Sequence, residues 1–165
     1  VPDVLLRLSR LLGRVTLIIS AAGLCLMTLI IFWQVFARYV LHASPSWSEQ
    51  AALLLMIWFI FLATAVGVRE GFHIRITAMI DPLETKLKRS AEIATHVIVG
   101  IIGLGMAISG FQLAGYTWTH SIPSLGISRG WAYIPLVISG AMIVFFTIEH
   151  IVETMKGREV TPIWN

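Results

Sequence analysis

Four stretches of this 165-residue chain carry no charged side chain: Val15 to Ala37, Gln50 to Val68, Ile93 to Ser128 and Gly130 to Ile148. A helix needs about 20 mostly apolar residues to cross the hydrocarbon core of a bilayer. Each stretch meets that length, and the third exceeds one crossing. Pro123, Ser124, Gly126 and Ser128 make its second part a turn. The pattern predicts an all-α fold, a helical integral membrane protein with four transmembrane helices. The spans are expected at about 15–37, 50–68, 93–118 and 130–148, in a single four-helix membrane domain over residues 1–165.

Two flanking segments read as amphipathic interfacial helices rather than spans. Over 3–14, Val4, Leu5, Leu8, Leu11 and Leu12 recur at helical spacing while Arg7, Arg10 and Arg14 share another face, a pattern suited to anionic headgroups. The apolar run that follows is longer than the roughly 7 to 15 residues of a signal-peptide core, so it reads as a retained anchor. A second such segment is expected in the connector 69–92, where Asp81, Pro82 and Glu84 supply an N-cap, a first-turn proline and an early acid. It carries Lys86, Lys88 and Arg89 towards the third span.

Composition sharpens this picture. With 57% hydrophobic and 13% charged residues and a mean hydropathy of +0.84, most of the chain's solvent is lipid. The net charge of +3 marks a membrane face rather than nucleic-acid binding. Arg7, Arg10, Arg14, Arg69, Arg75, Lys86, Lys88, Arg89, Lys156 and Arg158 fall on one side, Arg38 and Arg129 on the other. The excess predicts a multi-pass protein with both termini in the cytoplasm. Trp33, Tyr39, Trp47, Tyr116, Trp118, Trp131 and Tyr133 flank the opposite ends of the spans, where amphipathic rings favour the interface.

Chemistry is sparse. The nine acids and twelve bases fall in loops or at span ends, which disfavours a self-sufficient ion-coupled exporter, because such carriers place ionisable groups within their spans. No paired carboxylates, nucleophile–histidine grouping, phosphate loop or metal-ligand spacing is present, so neither an enzyme nor a metal or cofactor site is expected. The lone Cys25 falls inside an apolar run and reads as a packing residue. His96 and His150, at the same ends of their spans, could bind a haem between helices, which keeps an electron-transfer subunit as an alternative. Gly103, Ala107, Gly110 and Ala114 form a small-residue stripe for close helix packing, against another span or another subunit.

The hairpin between the first two spans gathers Arg38, Tyr39, His42, Trp47 and Glu49. Ser46 and Glu49 fit a capping box, and Arg38 could pair with Glu49 across the hairpin. The same face could also dock a periplasmic partner, since arginine and tryptophan are common interface anchors.

Arg38-Tyr39, Trp47-Ser48-Glu49-Gln50, Trp58, Gly67, Arg69 and His73-Ile74-Arg75-Ile76 resemble, in order and spacing, the small DctQ-type membrane subunit of TRAP transporters. Leu125-Gly126-Ile127, Trp131, Tyr133 and Pro135 resemble that family's loop and final helix, so the likeness covers about half of the chain. Gln50 stands where the family often has a second acid. The resemblance implies a tripartite importer: a periplasmic substrate-binding protein captures an organic acid and a large DctM-type subunit moves it with sodium. The small subunit would hold that carrier in the bilayer. Arg38, Tyr39, Trp47, Glu49, Trp58, Arg69 and His73 become partner-interface or structural candidates. Arg7, Arg10, Arg14, Lys86, Lys88 and Arg89 are expected to meet lipid headgroups.

Overall fold

The computed structural model describes residues 2–43, 45–71 and 85–156. Helix α1 runs Pro2–Tyr39, α2 Ser48–Arg69, α3 Thr85–Thr117 and α4 Ile134–Met155. Among the described residues these four are long and apolar enough to cross a membrane. Between α3 and α4, strands β1 (Ser121–Ile122) and β2 (Ile127–Ser128) form a two-rung antiparallel ladder, followed by a short 3-10 helix over Arg129–Ala132. The ladder closes through Gly126, whose φ of +67° suits a residue without a Cβ. Pro135 opens α4 where its missing N–H costs nothing.

The helices pack in the spatial order α1, α2, α4, α3. They form a row, with α2 and α4 inside and α1 and α3 at the edges. Lipid tails are as apolar as leucine, so contact here comes from close packing rather than hydrophobic burial. The buried face of α1 shows this: Ser9, Gly13, Thr16, Ser20, Gly23 and Ala37 point inward, while Leu11, Ile18, Leu29 and Phe32 point out. Phe59 of α2 fills the space a side chain at Gly23 would occupy.

The stripe on α3 faces α4. A Cβ on Gly103 would lie 2.7 Å from Ile143, and one on Gly140 would lie 2.6 Å from both the Ala107 nitrogen and the Gly103 carbonyl oxygen. Of the two partners open to it, the stripe has taken an internal one. Gly110 meets Leu136 and Val137 in the same seam.

Three expectations need correcting. The segment 3–14 is not a separate helix but runs on into the first span. Nothing at Arg14 or Val15 breaks the chain, and the small buried stripe runs unbroken from Ser9 through Gly13 into Thr16. Its 38 residues reach about 57 Å at helical rise, against a hydrocarbon core of about 30 Å. Next, α4 continues past Ile148 to Met155, because Glu149, His150 and Glu153 are buried by their neighbours. Finally, Ser46 and Glu49 form no capping box. Trp47 occupies the N-cap of α2 without a side-chain cap bond, and the buried Ser48 hydroxyl donates to the Pro45 carbonyl at 2.9 Å. Residues Asp81, Pro82 and Glu84, with His73 and Arg75, lie outside the described residues.

Candidate functional site

Two polar clusters cap the row, one at each end. The base holds the first turns of α1 and the last turns of α4. The crown holds both the α1–α2 hairpin and the β-ladder.

At the base, Arg69 is the last residue of α2 and is only 2% exposed. Its Nη1 donates to Glu70 Oε1 at 2.8 Å, and its Nη2 donates to Ser9 Oγ on α1 at 3.4 Å. Ser9 in turn donates to Glu149 Oε1 on α4 at 2.5 Å. Guanidinium, hydroxyl and carboxylate therefore form a relay across three helices, in which each bond polarises the next. The Arg69 carbonyl accepts from His150 Nε2 at 2.8 Å. A carbonyl can only accept, so that ring carries its proton on Nε2.

His150 stacks on His96 of α3, with ring centroids 4.7 Å apart and planes 16° from parallel. All four helices thus meet in one buried knot. Glu153 pairs with Lys156 at 2.9 Å, and Arg89 of α3 donates to the Met155 carbonyl at the end of α4. Arg69 Nε and Glu149 Oε2 have no partner among the described residues.

The histidine pair does not form a haem site. Its rings lie face to face rather than on opposite sides of a gap, and His150 already spends Nε2 on a carbonyl. Among the described residues no group of three metal-ligating side chains occurs.

At the crown, Trp58 of α2 donates its indole N–H to the Trp131 carbonyl at 3.0 Å and stacks on that ring at 6.4 Å. Trp118 lies 6.2 Å from Trp131 on another side. Ser128 Oγ donates to the Trp118 carbonyl at 2.7 Å and accepts from the Gly130 nitrogen at 3.1 Å. These bonds tie the ladder to the end of α3 and the following 3-10 helix to the middle of α2. Tyr39 and Trp47 stay exposed. Arg38 and Glu49 stand at the ends of α1 and α2, lining the same groove as Met27, Ile31, Leu53 and Met56.

The residues singled out from sequence thus divide in two. Arg69, His96 and His150 belong to the knot at the base, while Arg38, Tyr39, Trp47, Glu49 and Trp58 belong to the crown. Arg7 and Arg14 are exposed on α1, and Arg10 is half-buried beside the knot. Sequence reasoning missed Ser9, Glu70, Glu149 and Glu153 as parts of the knot. No sequence signal marked them: the burial of Ser9 shows only in the structure, and Glu149 falls one residue past an uncharged run, where a charge reads as a solvated boundary.

The family model for tripartite ATP-independent periplasmic transporters, DctQ component, matches residues 27–157. The chain belongs to the DctQ family. This DctQ chain is 26% identical over 150 residues to the sialic acid TRAP transporter small permease protein SiaQ of Vibrio cholerae, covering 90% of this chain and 86% of that one. The ectoine TRAP transporter small permease protein TeaB of Halomonas elongata is 24% identical over 156 residues, with 91% and 81% covered. The sialic acid TRAP transporter permease protein SiaT of Haemophilus influenzae is 25% identical over 138 residues, which are 81% of this chain but 22% of that longer one. A DctQ-type subunit is a transport component, part of a secondary transporter.

Proposed function

We propose that this chain braces a large DctM-type carrier subunit in the bacterial inner membrane, with its termini in the cytoplasm. A periplasmic binding protein would deliver an organic acid, and sodium would drive its uptake through the carrier. The observation that carries this reading is the row itself. Helices α1 and α3 each have one main neighbour and present large exposed apolar side chains along the other faces, such as Leu29 and Phe32 on α1 and Ile101 and Phe111 on α3. Such faces can lie against a partner's helices or against lipid.

The clusters at the two ends favour a stator over a carrier. A subunit that moved a substrate alone would need polar groups lining a path between the ends. Here the buried charges, among the described residues, are gathered at the base and committed to one another. A knot joining four helices holds the row rigid while a partner moves beside it. SiaQ and TeaB, named for sialic acid and ectoine, support small organic solutes as the class carried. Co-expression with a DctM-type subunit tests the reading: the two should leave the membrane as one complex, with sodium-dependent uptake appearing only when a binding protein is added.

A further inference from the structure

The groove at the crown stands apart from the scaffold role, and its chemistry differs from that of a bare apolar face. Its volume is about 340 Å³, and it lies between α1 and α2. Arg38, from the last turn of α1, and Glu49, from the first turn of α2, sit at its mouth. Its walls are Met27, Ile31 and Gln34 on one helix and Ala52, Leu53 and Met56 on the other.

The dimensions fit one leaflet. From Glu49 to Met56 the wall descends about 10 Å, and from Arg38 to Met27 about 16 Å, at helical rise. Half of a hydrocarbon core is about 15 Å. The apolar groove therefore begins at headgroup depth, beside the exposed Tyr39 and Trp47, and runs towards the bilayer midplane.

Opposite charges at the mouth of an acyl-sized groove select a headgroup carrying both signs. We infer that this groove binds a zwitterionic aminophospholipid of the phosphatidylethanolamine class. Arg38 takes the phosphate, Glu49 takes the primary ammonium, and one acyl chain lies between Met27, Ile31, Leu53 and Met56. A guanidinium has five N–H donors in a fixed fork, so a phosphate can be held bidentately beside its other contacts. A carboxylate accepts N–H bonds from a primary ammonium and none from a quaternary one, whereas a glycerol headgroup, whose charge lies on the phosphate, offers Glu49 only neutral hydroxyls. Methionine walls adapt to a flexible chain. A second protein helix would not need the paired charges.

The full chain, purified in mild detergent and stripped of lipid, can be titrated with phosphatidylethanolamine, phosphatidylcholine and phosphatidylglycerol while adducts are read by native mass spectrometry. Phosphatidylethanolamine should bind tightest. Glu49→Gln should erase its advantage over phosphatidylcholine, and Arg38→Gln should weaken all three by about tenfold, the equivalent of about 1.4 kcal/mol. Leu53→Trp, which fills the groove, should abolish the adduct with helicity unchanged by circular dichroism. Should that variant lose helicity, the two exposed charge substitutions still decide the matter. Equal binding by wild type and both charge variants, or a preference for phosphatidylglycerol, would overturn the proposal. So would loss of the adduct when a DctM-type subunit co-purifies, because the groove would then be a protein contact. The titrations of the chain alone do not bear on whether the two subunits associate.

Discussion

Ser9 on the third turn of α1 donates its hydroxyl to Glu149 near the end of α4 at 2.5 Å, 140 residues away in the chain. This bond ties an edge helix of the row to an inner one that it otherwise scarcely touches. Because Arg69 donates to the same hydroxyl, the serine stands between a buried cation and a buried anion. Removing Glu149 leaves the Ser9 hydroxyl, and through it Arg69, without the carboxylate that completes the relay.

Glu149→Ala should therefore be the costliest single change at the base. Breaking one side of a buried charged network typically costs about 3 to 5 kcal/mol, and Ser9→Ala, which removes a bond to a charged group, about 1.5 to 3 kcal/mol. Thermal unfolding in detergent should rank Glu149→Ala below Ser9→Ala, with the double variant far from additive. Additive losses would mean that the two side chains act independently.

The α3–α4 seam offers a sharper contrast. A methyl group at Gly140 would strike backbone atoms at 2.6 Å, which cannot rotate away, while one at Gly105 would meet nothing within 4 Å. Gly140→Ala should destabilise by about 1 to 3 kcal/mol. Gly105→Ala should be neutral or stabilising by up to about 1 kcal/mol, since alanine is the better helix former. Melting temperatures of the two variants check this directly.

The crown predicts a loss of different origin. Trp58→Phe keeps a ring to stack on Trp131 but removes the N–H that its carbonyl accepts, at a cost of about 0.5 to 1.5 kcal/mol. Limited proteolysis should then cut the ladder between Ser121 and Ser128 sooner than in the wild type.

At the start of α2, Ser46→Ala should be silent and Ser48→Ala should cost about 1 kcal/mol, because among the described residues it is Ser48 whose hydroxyl bonds the turn. The capping-box pattern would predict the reverse. Detergent melts of the two variants decide between them.

The four spans were legible because a missing charge over about 20 residues has one physical reading in a chain this apolar. Their spatial order was not. In water, the apolar face of a helix marks its inside, but α1 buries Ser9, Thr16 and Ser20 and exposes Phe32, so hydrophobicity carries no direction. The α3 stripe was readable because glycine and alanine at steps of three and four signal close approach in either solvent. The Ser46 signature misled because the chain enters α2 through Pro45, whose carbonyl engages Ser48 instead. Glu149 escaped notice because a charge at the end of an uncharged run looks like a solvated boundary. Only the contact with Ser9 reveals it as interior.

The central claim is that this DctQ chain is a brace whose function is expressed through a carrier subunit. The most direct measurement is affinity purification of the tagged chain from membranes that also contain a DctM-type subunit, followed by uptake assays in proteoliposomes with and without each component. The account predicts a stable complex, and sodium-dependent uptake that requires the carrier, the binding protein and this chain together. Uptake by the chain alone, or full uptake by the carrier without it, would contradict the account.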